Sequence, residues 1–231
     1  MSKSLPAKIH IREIDADFLL IPAGAFYVGG LKDREEAPRR LAAITKPFYM
    51  QETPVTQRQY QALIGTNPSI WNNLENPVVN LDWQQSVDFA DKLSRQTGLV
   101  FRLPTEMEWE YAARGGDGDK YTYAGSNDLD EVAWYKGNSN EQKQPVMQKK
   151  ANGFGLYDMT GNVWEWCSDA YKTYPNRELI DYRGAESSSQ RVNRGGSWNY
   201  TADFARVAYR FRLVPVARVV ILGLRLVLEI P

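Results

Sequence analysis

Apolar and polar positions along this chain fall into three regimes: strand-like runs near the start, capped helices in the middle, and a C-terminal stretch with no steady period. Residues 18 to 30 read as strand, turn, strand, punctuated by Pro22 and Gly24 and closed by Gly29-Gly30. Glu35 to Arg40 reads as a charged loop, and Pro47 to Glu52 as another strand. Thr56 is placed to cap a short helix in which Tyr60, Leu63 and Ile64 share a face, with Gly65 just beyond it. Asp82 with Gln85 makes a capping box for a second helix, whose buried stripe is Val87, Ala90 and Leu93 before Gly98. Thr105 with Glu108 opens a third, with Trp109, Ala112 and Ala113 inward and Gly115-Gly116 as its stop. That box accounts for Glu106 and Glu108 without an acid-base pair.

From Gly115 to Val146 no periodicity is visible, and so long an irregular stretch implies function or a hold other than a strand ladder. After the polar segment 168 to 190 the chain ends in two interleaved sets. One has the composition of a scaffold: Arg194-Gly-Gly-Ser-Trp198, Ala202, Arg206, Ala208, Arg210, Pro215, Arg218, Gly223 and Arg225-Leu-Val227. The other has no consistent character: Asn199, Tyr200, Thr201, Asp203, Phe204, Tyr209, Phe211, Arg212, Leu213, Val214, Val219 and Val220. Neither period 2 nor period 3.6 runs through it, so folding does not explain these choices. Its mixture of aromatic and polar residues is that of a recognition surface. The competing reading is a buried strand, favoured by the apolar run Val219-Val-Ile-Leu222.

Composition narrows the classes. The 231 residues are 43% hydrophobic with a formal net charge of zero and no basic cluster, which argues for a folded chain without a nucleic-acid footprint. No apolar run is long enough for a membrane span, so the expectation is a cytoplasmic protein, with surface display open if an anchor has been removed. The single cysteine, Cys167, fits a reducing compartment and reads as a small buried hydrophobe. A single histidine, His10, leaves no His-rich metal site and no held triad. No internal repeat or linker divides the chain, so one domain is expected over 18–231, with 1–17 as an N-terminal extension and 199–222 as a variable region.

Three motifs carry a resemblance. Phe101-Arg-Leu-Pro-Thr-Glu-Met-Glu-Trp-Glu-Tyr-Ala-Ala-Arg-Gly-Gly116, Asn152-Gly-Phe-Gly-Leu-Tyr-Asp-Met-Thr-Gly-Asn-Val-Trp-Glu-Trp166 and Arg194-Gly-Gly-Ser-Trp198, closing on Gly223-Leu-Arg-Leu-Val227, resemble the formylglycine-generating enzyme (sulfatase-modifying factor) domain. Pro54-Val-Thr56 and Pro77 to Trp83 match its earlier motifs. The resemblance implies an α+β, C-type-lectin-like single domain with small mixed sheets, two or three helices and much irregular chain. In that enzyme two cysteines after Gly-Gly-Ser-Trp bind copper and activate oxygen; here those positions hold Tyr200 and Ala205, which supply no thiolate. The family's iron-dependent sulfoxide-forming relatives draw ligands from a histidine-bearing domain that has no counterpart here.

A second branch of the fold is also similar: variable proteins of diversity-generating retroelements, in which adenines of a template are randomised in the C-terminal coding region. Asn codons randomised at adenine never encode Lys, Glu, Gln, Met or Trp, and Asn199 to Val227 contains none of the five. Ordinary composition would supply about six in such a stretch. The resemblance to the formylglycine-generating family further implies a structural calcium ion held by Asp158, Gly161, Val163 and Glu165, the alternative being a structural turn with Trp164 and Trp166 in the core and Glu165 bonded to backbone; no other cofactor is required. The expectation is therefore a non-catalytic monomer displaying a diversified surface to a protein or other macromolecular ligand. The alternatives are an oxygen-dependent oxidase of the formylglycine type, or a structural module of a larger assembly.

Overall fold

A computed structural model describes residues 5–30, 36 and 39–230. In chain order, β1 (Lys8–Ile11) and β2 (Ala16–Ile21) form a hairpin, followed by β3 (Gly24–Val28), β4 (Arg40–Ile44) and β5 (Phe48–Gln51). Helices α1 (Gln57–Ile64) and α2 (Trp83–Thr97) come next, then β6 (Phe101–Arg102), α3 (Glu106–Ala113) and the single turn α4 (Leu129–Val132). The second half carries β7 (Trp164–Ala170), β8 (Leu179–Ile180), β9 (Arg191–Arg194), a 3-10 turn at Ala202–Ala205, β10 (Phe211–Leu213), β11 (Leu222–Gly223) and β12 (Val227–Leu228).

The strands make three sheets, in the orders β1-β2-β5-β12-β6, β10-β9-β7-β11 and β3-β4-β8. In the first, β12 lies antiparallel between β5 and β6, so the end of the chain closes the sheet begun by its start. Both faces of this sheet are covered. Phe18 and Tyr49 enter one core with Trp164 and Trp166, while Leu19, Ile21 and Met50 enter another with Trp109 and Cys167. Period 2 then puts an apolar residue on either side, which is why Phe18-Leu-Leu-Ile21 is a continuous apolar run.

Helices α1, α2 and α3 start as the spacing predicts, and the turn α4 lies in the stretch read as irregular. Thr56, Asp82 and Thr105 each accept from the backbone three residues on, and Gln59, Gln85 and Glu108 each reach back. Gly65 and Gly98 close the first two in the left-handed region, at φ 90° and 73°. At the third, the Asn152 amide donates to the Ala112 and Ala113 carbonyls, capping the helix end from a distant motif.

Several expectations need correction. Residues 8–17 are no extension: β1 and the start of β2 are ladder members of the first sheet, and a boundary at residue 18 would cut β2. Arg40 opens β4 instead of ending a loop; residues 35, 37 and 38 of the expected loop lie outside the described residues. The α2 stripe includes Phe89 and Ser86, with Val87 only half-buried. Val219 to Ile221 are half-buried outside any strand, and Leu222 alone of that run is buried in β11, so the competing reading of a buried strand does not hold there.

Asp169 in β7 ties the second sheet to the α3 N-terminus, its Oδ2 accepting from Glu106 N at 2.9 Å and Ser168 Oγ at 3.1 Å. Burial, with the Glu106 charge adding, pushes its carboxyl up to about 7. An unfolded Asp loses its proton near about 4, so the native chain binds more protons between those values and Asp169's contribution to stability falls as pH rises through them. Asp169→Asn keeps the acceptor and removes the charge. Its melting temperature relative to wild type is expected to climb across that interval and level off above it, as thermal unfolding against pH would show.

Candidate ligand-binding surface

The C-terminal segment is fastened by its arginines. Arg194, fully buried, pairs with Glu110 of α3 and donates to the carbonyls of Val207 (3.0 Å), Ala208 (3.1 Å) and Tyr209. Three successive backbone oxygens are thus clamped from below with no use of the side chains that follow them. Arg210 forks onto Glu106 at 2.6 and 2.7 Å and lies 3.8 Å from the Tyr174 ring centroid. Arg206 pairs with Glu36, Arg218 with Asp82 at 2.7 Å, and Arg225 with Glu165 at 2.9 Å. Arg218 is exposed; the others are buried. Burial alone would push the Glu106 carboxyl up, but Arg210 and Arg194 outweigh it and hold the group below its ordinary range.

Between these fastenings the irregular residues reach the surface to differing degrees. Asn199, Thr201, Asp203 and Val214 are exposed, and Tyr200, Phe204, Tyr209, Phe211, Arg212, Leu213, Val219 and Val220 are half-buried; none is sealed inside. The aromatics meet over Trp164, which is 1% exposed. Phe211 stacks on it with centroids 5.0 Å apart, Tyr200 stands edge-on at 5.6 Å, and Phe204 lies 4.9 Å from both Tyr200 and Tyr209. The result is an aromatic face on a buried aromatic floor. Arg212 does not join it: strand alternation sends its guanidinium to the Tyr171 hydroxyl, 3.0 Å away. Val219 lies beside Asn80, whose N–H donates to the Val219 carbonyl at 3.1 Å.

The two carboxylates of the expected calcium set have protein partners of their own. Both Glu165 oxygens accept from Arg225, and Oε2 also from Trp109 Nε1 at 2.7 Å, so a guanidinium already neutralises that carboxylate. Asp158 accepts from Met147 N at 2.9 Å and Asn162 Nδ2 at 3.2 Å, and burial raises its carboxyl. Among the described residues no group of three His, Cys, Asp or Glu side chains is arranged to hold a metal ion. At the positions of the enzyme's cysteines, Tyr200 belongs to the aromatic face and Ala205 is buried with Leu129, Val132 and Ala133. Cys167 is fully buried, and that burial pushes its thiol well above the ordinary range, away from the reactive thiolate.

Sequence reasoning passed over one neighbouring element. Ile70 and Trp71, 64% and 50% exposed, stand on the loop between α1 and α2, where Trp71 meets Trp198 edge-on at 6.3 Å. The signal was present: an apolar pair inside Asn67-Pro-Ser-Ile-Trp-Asn-Asn73, where nothing periodic calls for one.

Comparison with known proteins agrees with this architecture. Residues 7–230 match the model of the sulfatase-modifying factor enzyme 1-like domain. The chain belongs to that family. One relative that matches over most of both lengths is the chaperone protein LppX of Paenibacillus barcinonensis, 29% identical over 85% of this chain and 83% of its own length. The formylglycine-generating enzyme of Thermomonospora curvata is 35% identical over 60% of this chain but 50% of the enzyme, so the match spans half of that enzyme's length. Among solved structures, Treponema denticola variable protein 1 superposes with TM-score 0.89 at 31% identity, covering 96% of this chain and 98% of that one. PvdO of Pseudomonas aeruginosa shares the fold, with TM-score 0.84 at 24% identity over 98% of this chain and all of the other. The domain is α+β and C-type-lectin-like, as the motifs imply.

Two outcomes follow from the geometry. Because Arg225 occupies the cationic role beside Glu165, chelation with EDTA is expected to leave the melting temperature unchanged; a drop would restore a calcium ion to Asp158 and Glu165. Because the segment is held by its arginines, Arg210→Met is expected to cost about 3 kcal/mol by taking from buried Glu106 its bidentate partner and leaving it Arg194 at 3.8 Å. Phe204→Ser is expected to cost about 1 kcal/mol. Denaturant unfolding of the two variants measures the contrast.

Proposed function

We propose that this domain is a non-catalytic ligand-binding protein whose C-terminal face is diversified, in the manner of a retroelement variable protein, to recognise a protein ligand. One observation carries the reading: the residues of irregular character all reach the surface, while the arginines interleaved with them are fastened to carboxylates. Such a division lets side chains change without loss of the fold, since the backbone contacts that fix the segment do not involve them. The absence of Lys, Glu, Gln, Met and Trp from Asn199 to Val227 supports the same reading, as does the likeness to Treponema denticola variable protein 1. Tyr200, Phe204, Tyr209 and Phe211 offer aromatic area at low entropic cost, as protein-binding surfaces do.

An oxidase of the formylglycine type is the competing reading, favoured by the curated relatives. It lacks a thiolate where it needs one, since Tyr200 and Ala205 stand at the cysteine positions and Cys167 lies in the core.

The test is a library randomised at Tyr200, Asp203, Phe204, Tyr209 and Phe211 and displayed against an unrelated protein such as hen lysozyme. Most members are expected to fold, and selection is expected to yield binders whose affinity depends on the randomised positions. Widespread misfolding, or formylglycine formation by the unaltered chain on a sulfatase peptide, would overturn the proposal.

A further inference from the structure

The buried guanidiniums of the described residues have carboxylate partners: Arg114 and Arg194 face Glu110, Arg206 faces Glu36, Arg210 faces Glu106 and Arg225 faces Glu165. Lys143 departs from that rule. It is 2% exposed, and its ammonium makes one long contact, 3.5 Å, to the Trp71 carbonyl, with the Trp71 ring centroid 5.0 Å away. Among the described residues no carboxylate lies within ion-pair distance of it. Burial lowers its proton affinity, as it must for an ammonium withdrawn from water with a ring face and a carbonyl as its company. A buried charge left in that state costs several kcal/mol unless an opposite charge arrives.

What covers Lys143 is also unusual. Trp71 is half exposed, stands on an irregular loop and leans edge-on against Trp198, the residue immediately before the variable region. The loop itself is held from beneath: Gln57 Nε2 donates to the Trp71 carbonyl at 3.0 Å, and Asn76 Nδ2 to the Lys143 carbonyl at 3.2 Å. Removing the Lys143 ammonium therefore leaves the loop its other supports. Ile70, more exposed still, extends the apolar surface outward.

We propose that Lys143, roofed by Trp71, is an undiversified subsite that takes a carboxylate side chain, Asp or Glu, of a protein ligand docked on the adjoining variable face. The proposal rests on the display reading for its ligand, but the chemistry belongs to fixed residues. An aromatic wall beside one ammonium suits a single negative charge carried on a protein surface, where the ring excludes water as the pair forms. The variable residues would then choose the partner while Lys143 supplies a constant contact and register.

Acetate is the probe, titrated against chloride at equal ionic strength into the full chain carrying lysines labelled at the ε carbon. The Lys143 resonance is assigned by its loss in Lys143→Met. Acetate is expected to shift that resonance saturably and raise its titration midpoint, chloride to do neither, and Lys143→Met to melt at or above the wild-type temperature. A response to acetate no different from chloride, or a several-degree loss of stability in Lys143→Met, would overturn the proposal by making the ammonium a structural strut. The titration reads Lys143 alone and is expected to be unaltered in Tyr200→Ser, so its failure would leave the diversified-surface reading standing.

Discussion

The C-terminal segment keeps its path because the interior grips its backbone. Arg194 clamps three consecutive carbonyls, from Val207 to Tyr209, and Arg210 forks onto Glu106 one residue later. A guanidinium is well suited to such a clamp because it is planar, carries five donors and stays charged, so a single side chain satisfies a carboxylate and several carbonyls at once. Glu106 and Glu110, which accept these bonds, sit on a helix whose every residue is buried. The position of the outer segment is therefore inherited from the core helix.

Buried ion pairs are a poor source of net stability, because the desolvation of both charges offsets most of their attraction. Their value here is one of geometry. A segment fixed by its own apolar side chains could not exchange them, whereas one fixed by Arg194, Arg206, Arg210 and Arg225 has its remaining positions released. The same logic covers the Glu165–Arg225 pair. There the guanidinium also donates to the carbonyls of Gln51, Glu52 and Tyr157, joining the first sheet to the segment that follows β11.

Much of this was legible in the residues. Capping boxes at Thr56, Asp82 and Thr105 depend on contacts within four residues, so spacing alone reveals them. The outward set after Trp198 was visible as a failure of both periods. What escaped notice depends on contacts far apart in the chain. β1, Lys8-Ile-His-Ile11, is too short for its alternation to declare a strand, and joins the sheet through its pairing with β2 and the burial of Ile11. The pairing of Glu165 with Arg225 spans sixty residues, and without it Asp158 and Glu165 read as cation ligands. Arg212 looked like its neighbours in sequence and faces the other way because β10 is a strand. Lys143 and Trp71, seventy-two positions apart, meet only in the folded chain.

The central claim is that arginine contacts to backbone and carboxylate, and not the outward side chains, set the course of residues 199 to 220. The direct measurement is a crystal structure of a variant in which Tyr200, Phe204, Tyr209 and Phe211 are replaced together by small polar residues. The account predicts that the Arg194 clamp on the carbonyls of 207 to 209 and the Arg210 fork on Glu106 are unchanged, with the backbone superposing on the present one. A segment that rebuilds its path, or leaves Arg194 without those carbonyls, would contradict it.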